Sequence, residues 1–214
     1  NVIMPQLRKI LVQLLRQLEQ NEDHRLRENS IILLTELIKG ANILLKPYID
    51  AILPPLLEQL QYPEVDAVAI TALGELSLVS AESIAPHTHV LLTKIVKLLS
   101  ESAFQKKQEQ ALKALGQLVS TTGFVIAPYL SHPELLDSII SIIQKGAEGG
   151  GALRLKCEAT RAFGILGVAD PNKLKAMHRK LMETTSAAEK MRHDANPGDE
   201  EKKDQVEGSS VAND

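Results

Sequence analysis

Two short stretches of the sequence carry residues of the kinds that bind metal ions or phosphate groups. His87 and His89 lie two positions apart and could supply two zinc ligands, but no Cys and no acidic or His partner lies at ligand spacing. Residues 146–151 read GAEGGG, whereas a phosphate-binding loop needs a strand before it and a Lys-Ser or Lys-Thr pair after it. We therefore predict no metal site and no cofactor-binding site.

Cys157, the single cysteine, is the remaining candidate for a catalytic nucleophile. Lys156 and Arg161 could stabilise its thiolate, which is the reactive form of cysteine. However, leucines and an alanine lie close by in a predicted helix, which favours a buried structural thiol. We therefore predict no catalytic residue in this segment, and an enzyme in its own right ranks as the third hypothesis.

Composition favours helices and argues against two classes of partner. Hydrophobic residues make up 44% of the 214 residues, but aromatic residues only 3%, so the core must consist of aliphatic side chains and alanine. Residues 1–183 carry 20 basic and 19 acidic side chains, and residues 184–214 carry 4 and 8. Such a body does not attract nucleic acid at long range. Because no apolar run approaches about 20 residues, we also predict no direct membrane insertion.

A repeated four-residue string sets the architecture. LTEL, LGEL, LGQL and FGIL begin at Leu34, Leu73, Leu115 and Phe163, at spacings of 39, 42 and 48 residues, and a small residue stands four places before each. Apolar residues around these strings follow the helical period. Each unit therefore reads as two antiparallel helices, A and B, with a period of about 40 to 47 residues, which is typical of HEAT repeats.

The predicted fold is an all-α, right-handed α-solenoid of about four HEAT-type helical hairpins over residues 1–170. The units span about residues 2–41, 46–82, 86–121 and 127–167, and residues 149–151 form a flexible connection in the last one. An irregular basic helix follows at residues 171–195. Residues 196–214 have few apolar side chains, so we expect a disordered acidic linker or insertion.

Equivalent positions of the B helices should hold the repeats together. One hairpin cannot bury both of its apolar stripes, so it must stack on a near-copy through the same residues. The small residue and the glycine of each string would let neighbouring helices approach closely, although Thr35 departs from the glycine. The predicted repeat-packing residues are Leu34, Leu37, Leu73, Gly74, Leu76, Leu115, Gly116, Leu118, Phe163, Gly164 and Leu166.

Longer strings carry a family resemblance. Residues 111–143 read ALKALGQLVSTTGFVIAPYLSHPELLDSIISII, and residues 154–175 read RLKCEATRAFGILGVADPNKLK. With LLKPYIDAILPPLLEQLQYPE at residues 44–64, they resemble the HEAT-repeat region of the target-of-rapamycin (TOR) serine/threonine kinases, of the phosphatidylinositol-kinase-related family. The resemblance covers roughly residues 2–175, and the tail beyond matches nothing that we can place.

The resemblance implies a non-catalytic scaffold segment of a kinase that couples nutrients to growth. The catalytic domain would lie outside this chain, and the solenoid would contact neighbouring HEAT repeats, a Raptor-type subunit and a second copy of the kinase. The implied location is the cytoplasm, with peripheral attachment to endomembranes through the parent complex. The alternative is an independent HEAT-repeat adaptor of the phosphatase-scaffold or nuclear-transport type, because solenoids of this period serve many partners.

Overall fold

The computed structural model describes residues 3–20, 23–101, 104–123, 128, 131–144, 150–169, 179 and 182–183. The chain divides into two units, Asn1–Leu174 and Lys175–Asp214. In the second unit the described residues, Arg179, Met182 and Glu183, are helical. The rest of the predicted basic helix and the whole predicted linker, residues 196–214, lie outside the described residues.

The first unit consists of helical hairpins. In chain order its α-helices are α1 (Ile3–Gln20), α2 (His24–Ala41), α3 (Ile49–Glu58), α4 (Asp66–Val79), the short α5 (Ala81–Ile84), α6 (Thr88–Glu101), α7 (Gln105–Thr122), α8 (Glu134–Gln144) and α9 (Gly150–Ala169). Helices α1, α3, α6 and α8 are the A helices, and α2, α4, α7 and α9 are the B helices. No strand occurs among the described residues, and the predicted all-α solenoid is confirmed.

Local sequence signals explain where several helices begin and end. Asp23 caps α2, because its carboxylate accepts a hydrogen bond of 2.9 Å from the backbone N–H of Arg25. Gly123 ends α7 with φ of +68°, a conformation that glycine adopts without steric cost. Pro47 and Pro86 lie in the 3₁₀ turns Asn42–Tyr48 and Ala85–His87, which lead into α3 and α6.

The B helices pack in series, α2 on α4, α4 on α7 and α7 on α9, and the A helices cover one side of this row. Aliphatic side chains fill the space between the two layers, including Leu11 of α1, Ile52 of α3, Ile95 of α6 and Ile139 of α8, which are all buried. No described helix is both long enough and apolar enough to cross a bilayer.

The prediction of a flexible connection at residues 149–151 is wrong for Gly150 and Gly151, because these two residues lie in the first turn of α9. A glycine costs about 1 kcal/mol relative to alanine inside a helix. Burial of Ala152, which directly follows the glycines, and of Leu155, one turn further on, favours the helix and offsets part of this cost. The helix can therefore begin before its first apolar residue.

Replacing Leu115 by alanine tests the position of the core. Leu115 is fully buried in α7, so Leu115→Ala is expected to lower the free energy of unfolding by about 2 to 5 kcal/mol. Urea denaturation measures this loss. Leu153→Ala on α9 is the matched control, because Leu153 is exposed and its loss should change stability by less than about 0.5 kcal/mol. Equal effects of the two changes would contradict this register.

Candidate interaction surface

A small buried residue recurs at the same position of each B helix. The residue four places before each repeated string is buried in every repeat, and the four are Ser30, Ala69, Ala111 and Ala159. Of the predicted repeat-packing residues, six leucines have at most 1% of their surface exposed: Leu34, Leu73, Leu76, Leu115, Leu118 and Leu166. Leu37 and Phe163 are half-buried and pack against the same core.

The three predicted packing glycines differ in their surroundings. A Cβ added to Gly74 would lie 2.5 Å from Gln117 Oε1 and 3.1 Å from both Cα and Cβ of Ala114, so α7 lies directly against this glycine. A Cβ on Gly116 would lie 3.1 Å from Ile165 Cδ1 of α9. A Cβ on Gly164 would meet no described atom within 4 Å. Close approach therefore accounts for the first two glycines and not for Gly164.

A polar cluster lies beside Gly74 and joins α4 to α7. Lys113 Nζ donates a hydrogen bond of 2.9 Å to Glu75 Oε1, and only 8% of the Glu75 side chain is exposed. Burial raises the pKa of Glu75, but hydrogen bonds from Lys113 and Gln117 and the charges of Lys113 and Lys39 outweigh it. The pKa of Glu75 therefore lies below its ordinary value of 4.5. The stabilisation that this carboxylate contributes is present above pH 4.5 and is lost as the pH falls through the lowered pKa.

A second buried carboxylate, Asp66, joins three helices. Its Oδ2 lies 2.9 Å from Lys94 Nζ of α6, and its Oδ1 lies 3.3 Å from Lys107 Nζ of α7. Lys107 also donates a hydrogen bond to the carbonyl oxygen of Pro63. Because the lysines compensate the buried charge, Asp66 can lie in the first turn of α4, where the helix dipole also favours an anion.

An open groove of about 200 Å³ runs between α7 and α9. Its floor is largely apolar, and its rim carries Lys113 and Arg161. Arg161 Nη1 donates hydrogen bonds of 2.9 and 3.2 Å to the two carboxylate oxygens of Glu158 on the same helix. The repeat register makes Arg161 the counterpart of Lys113, but Arg161 pairs within its own helix whereas Lys113 pairs across to α4.

The residues that suggested chemistry in the sequence do not converge on a metal or catalytic site in the described residues. His89 stacks on His132, with ring centroids 6.2 Å apart, and a ring nitrogen of His132 lies 3.3 Å from Glu134 Oε1. No group of three potential metal ligands occurs in the part of the chain that the structure describes.

The prediction that Cys157 is buried is wrong, because the thiol is exposed on α9. Successive helical residues are about 100° apart, so Cys157 points away from the face that Leu155 and Ala159 share. The error came from reading apolar neighbours in the sequence as neighbours in space.

Sequence reasoning missed both buried carboxylates. Asp66 and Glu75 lie in an otherwise apolar B helix, ten of whose residues are buried. An acidic residue at a position that the helical period turns inward is the signal that could have identified them, because a buried carboxylate requires a cationic partner. The partners themselves come from other helices and leave no local pattern.

Two family models match this row of helices. The model described as "IPO5-like, TPR repeats" matches residues 9–133, more than half of the chain, so these repeats belong to that repeat family. The model described as "Serine/threonine-protein kinase mTOR domain" matches residues 125–212. "Serine/threonine-protein kinase TOR2" of Saccharomyces cerevisiae is 33% identical over 90% of the chain. The chain is a helical-repeat segment of the target-of-rapamycin family.

Other TOR relatives align over similar lengths. "Serine/threonine-protein kinase tor1" of Schizosaccharomyces pombe is 34% identical over 79% of the chain, and "Target of rapamycin homolog" of Caenorhabditis elegans is 28% identical over 86%. The chain spans only 7 to 8% of the length of these three relatives. The TOR resemblance drawn from the quoted strings is therefore confirmed, and it concerns a small part of each relative.

Gly74 and Gly164 offer a matched pair of substitutions in this TOR segment. Gly74→Ala is expected to lower the free energy of unfolding by about 1 to 2 kcal/mol, because overpacking against Ala114 and Gln117 outweighs the gain in helix propensity. Gly164→Ala should raise it by about 0.5 to 1 kcal/mol, because the new methyl group meets open space. Thermal unfolding of both variants measures the difference, and effects of the same sign would contradict it.

Proposed function

We propose that this segment is a non-catalytic scaffold within a TOR-type serine/threonine kinase and that it mediates protein–protein interaction and complex assembly in nutrient and growth signalling. The observation that carries the proposal is the row of B helices, which buries one surface repeat after repeat and ends at α2 with the equivalent surface uncovered. Such a row extends by adding further hairpins on its end.

Two positions on α2 illustrate this uncovered end. Leu26 and Leu33 are 50% and 59% exposed. Their counterparts 39 residues later are Val65, the N-cap of α4, and Ala72 on α4, which are 1% and 0% exposed, and α2 packs against α4. These positions are apolar in both repeats, but they are buried in the second repeat and exposed in the first. This difference supports the proposal that a neighbouring HEAT repeat contacts α2.

The phosphoryl transfer of the parent belongs to residues outside this chain under this proposal. The relatives from Saccharomyces cerevisiae and Schizosaccharomyces pombe are described as serine/threonine-protein kinases, and the chain aligns with only 8% and 7% of their lengths. The side chains described above supply packing and ion pairs between helices, which are the means by which a scaffold holds its shape.

The proposed partners are neighbouring repeats, a Raptor-type subunit and a second copy of the parent kinase. A solenoid suits such contacts, because stacked repeats present an extended surface to a partner. The proposed location is the cytoplasm, with peripheral attachment to endomembranes through the parent complex. The family resemblance supports these assignments.

An independent HEAT-repeat adaptor remains the second candidate, and the match of residues 9–133 to the IPO5-like repeats favours it. Reading and translating the transcript beyond Asp214 separates the two proposals. If the segment is a TOR scaffold, the transcript must encode a FAT domain, a rapamycin-binding domain and a kinase domain downstream of Asp214. A stop codon shortly after Asp214 would overturn the kinase proposal and leave the adaptor.

Leu33→Asp tests the contact with a neighbouring repeat. In the isolated 214-residue chain it should change the free energy of unfolding by less than about 0.5 kcal/mol, because the side chain is exposed. In the full-length protein it should lower the temperature at which this region unfolds, because a buried unpaired carboxylate is costly.

Ile43→Asp is the matched control for this experiment. Ile43 is also exposed, and its counterpart in the second repeat, Glu82, is exposed and charged. Ile43→Asp should therefore be tolerated both in the isolated chain and in the full-length protein. Hydrogen exchange over residues 24–41 reports local unfolding in both settings. If Leu33→Asp is tolerated in the full-length protein as well, no neighbouring repeat covers this face.

A further inference from the structure

Four basic residues form a patch on two adjacent B helices. Lys106 and Lys113 are seven residues apart on α7, and Arg154 and Arg161 are seven apart on α9. Residues seven apart lie on the same face of a helix, about 10 Å from each other along the axis. The register of 48 residues between these repeats pairs Lys106 with Arg154 and Lys113 with Arg161. We call these four residues the basic patch.

The basic patch borders the groove between α7 and α9. The charged residues that line this groove are Lys113, Arg161 and Glu158, the partner of Arg161, and its apolar part is lined by Leu112, Gly116, Ala162 and Ile165. Packed helix axes lie about 8 to 10 Å apart, so the four cationic positions mark the corners of a surface roughly 10 Å on each side. Such a groove can accept a segment whose apolar side chains contact the apolar lining and whose acidic side chains contact the cations.

The cations of the groove are more exposed than the carboxylates with which they pair. The Lys113 side chain is 41% exposed and that of Glu75 is 8% exposed, and the corresponding values for Arg161 and Glu158 are 66% and 18%. The hydrogen bonds from Arg161 to Glu158 use Nη1 alone among its nitrogens. An incoming carboxylate would therefore meet the cationic groups first and find guanidinium donors to bind.

The basic patch is not a general property of the repeat. The counterparts of Lys106 and Lys113 are Arg25 and Ile32 on α2 in the first repeat, and Glu64 just before α4 and Thr71 on α4 in the second. If stacking alone required both cations, the pair would recur in the first two repeats, but the first repeat keeps only Arg25 and the second has neither. The restriction of the complete pair to α7 and α9 favours a role in binding.

We propose that the basic patch and its groove bind an acidic peptide segment of a partner protein. Carboxylates about 10 Å apart match the patch, a spacing that corresponds to seven residues in a helix or three in an extended strand. Nucleic acid fits less well, because none of the residues that line the groove is aromatic and Phe163 of α9 packs against the core; the exposed Phe104 lies outside the groove lining, just before α7. Binding of an acidic segment would give the proposed scaffold one kind of partner, and this inference rests on the scaffold role proposed above.

Binding of a fluorescent decaglutamate peptide to the full-length protein tests this proposal. Lys106→Glu with Arg154→Glu reverses two exposed charges that make no contact with the core, and it should weaken binding at low salt at least tenfold. Arg25→Glu is the matched control, because it changes the equivalent position of the first repeat, and it should change the affinity less than twofold. The neutral pair Lys106→Gln with Arg154→Gln should give an intermediate loss if the reversed pair fails to fold.

A photo-crosslinker at the centre of the peptide locates the site. The expected crosslinks lie within residues 105–122 or 150–169. The proposal is overturned if both pairs of substitutions leave binding unchanged, if Arg25→Glu weakens it equally, or if the crosslinks lie elsewhere. If a ten-nucleotide single strand binds more tightly than the peptide, and the same variants lose this binding, the ligand of the basic patch is nucleic acid and the peptide proposal is overturned. Peptide binding by the basic patch does not depend on what is encoded beyond Asp214. The binding experiment can therefore contradict the peptide proposal without contradicting the kinase-scaffold proposal, and the transcript can do the reverse.

Discussion

Every B helix in this segment must bury two surfaces at once, one against its own A helix and one against the B helix of the next repeat. A two-helix unit cannot do so by itself, and this constraint explains the recurrence of the same residues at the same helical phase. The four small buried residues, Ser30, Ala69, Ala111 and Ala159, are its clearest expression, because a larger side chain at one of these positions would push neighbouring helices apart.

Close approach of α4 and α7 also organises the polar contacts. Because Gly74 has no Cβ, the Gln117 side chain can lie over it, and Lys113 can reach Glu75. At the next junction Ile165 replaces the polar residue at the position equivalent to Gln117, and Arg161 bonds within its own helix. Gln117 stands at the position equivalent to Glu75, so Arg161 meets no carboxylate at the equivalent position of α7, and the groove lies at this junction.

The helical period and the repeat spacing were enough to predict the all-α architecture. The pattern also identified leucines such as Leu34 and Leu73, which are fully buried. It could not give distances between helices, so it treated Gly74 and Gly164 alike although only the first has a close neighbour. The lysines that bind Asp66 come from two other helices, and nothing local in the sequence joins them.

Asp66 and its two lysines have a consequence for how this surface can change during evolution. Either Lys94 or Lys107 can be lost while the other still compensates the buried carboxylate. Loss of Asp66 first would leave two ammonium groups close together at the junction of α4, α6 and α7, where their like charges repel each other. The three positions therefore cannot vary independently: one lysine can be lost first, but loss of both before Asp66 would leave its buried carboxylate uncompensated.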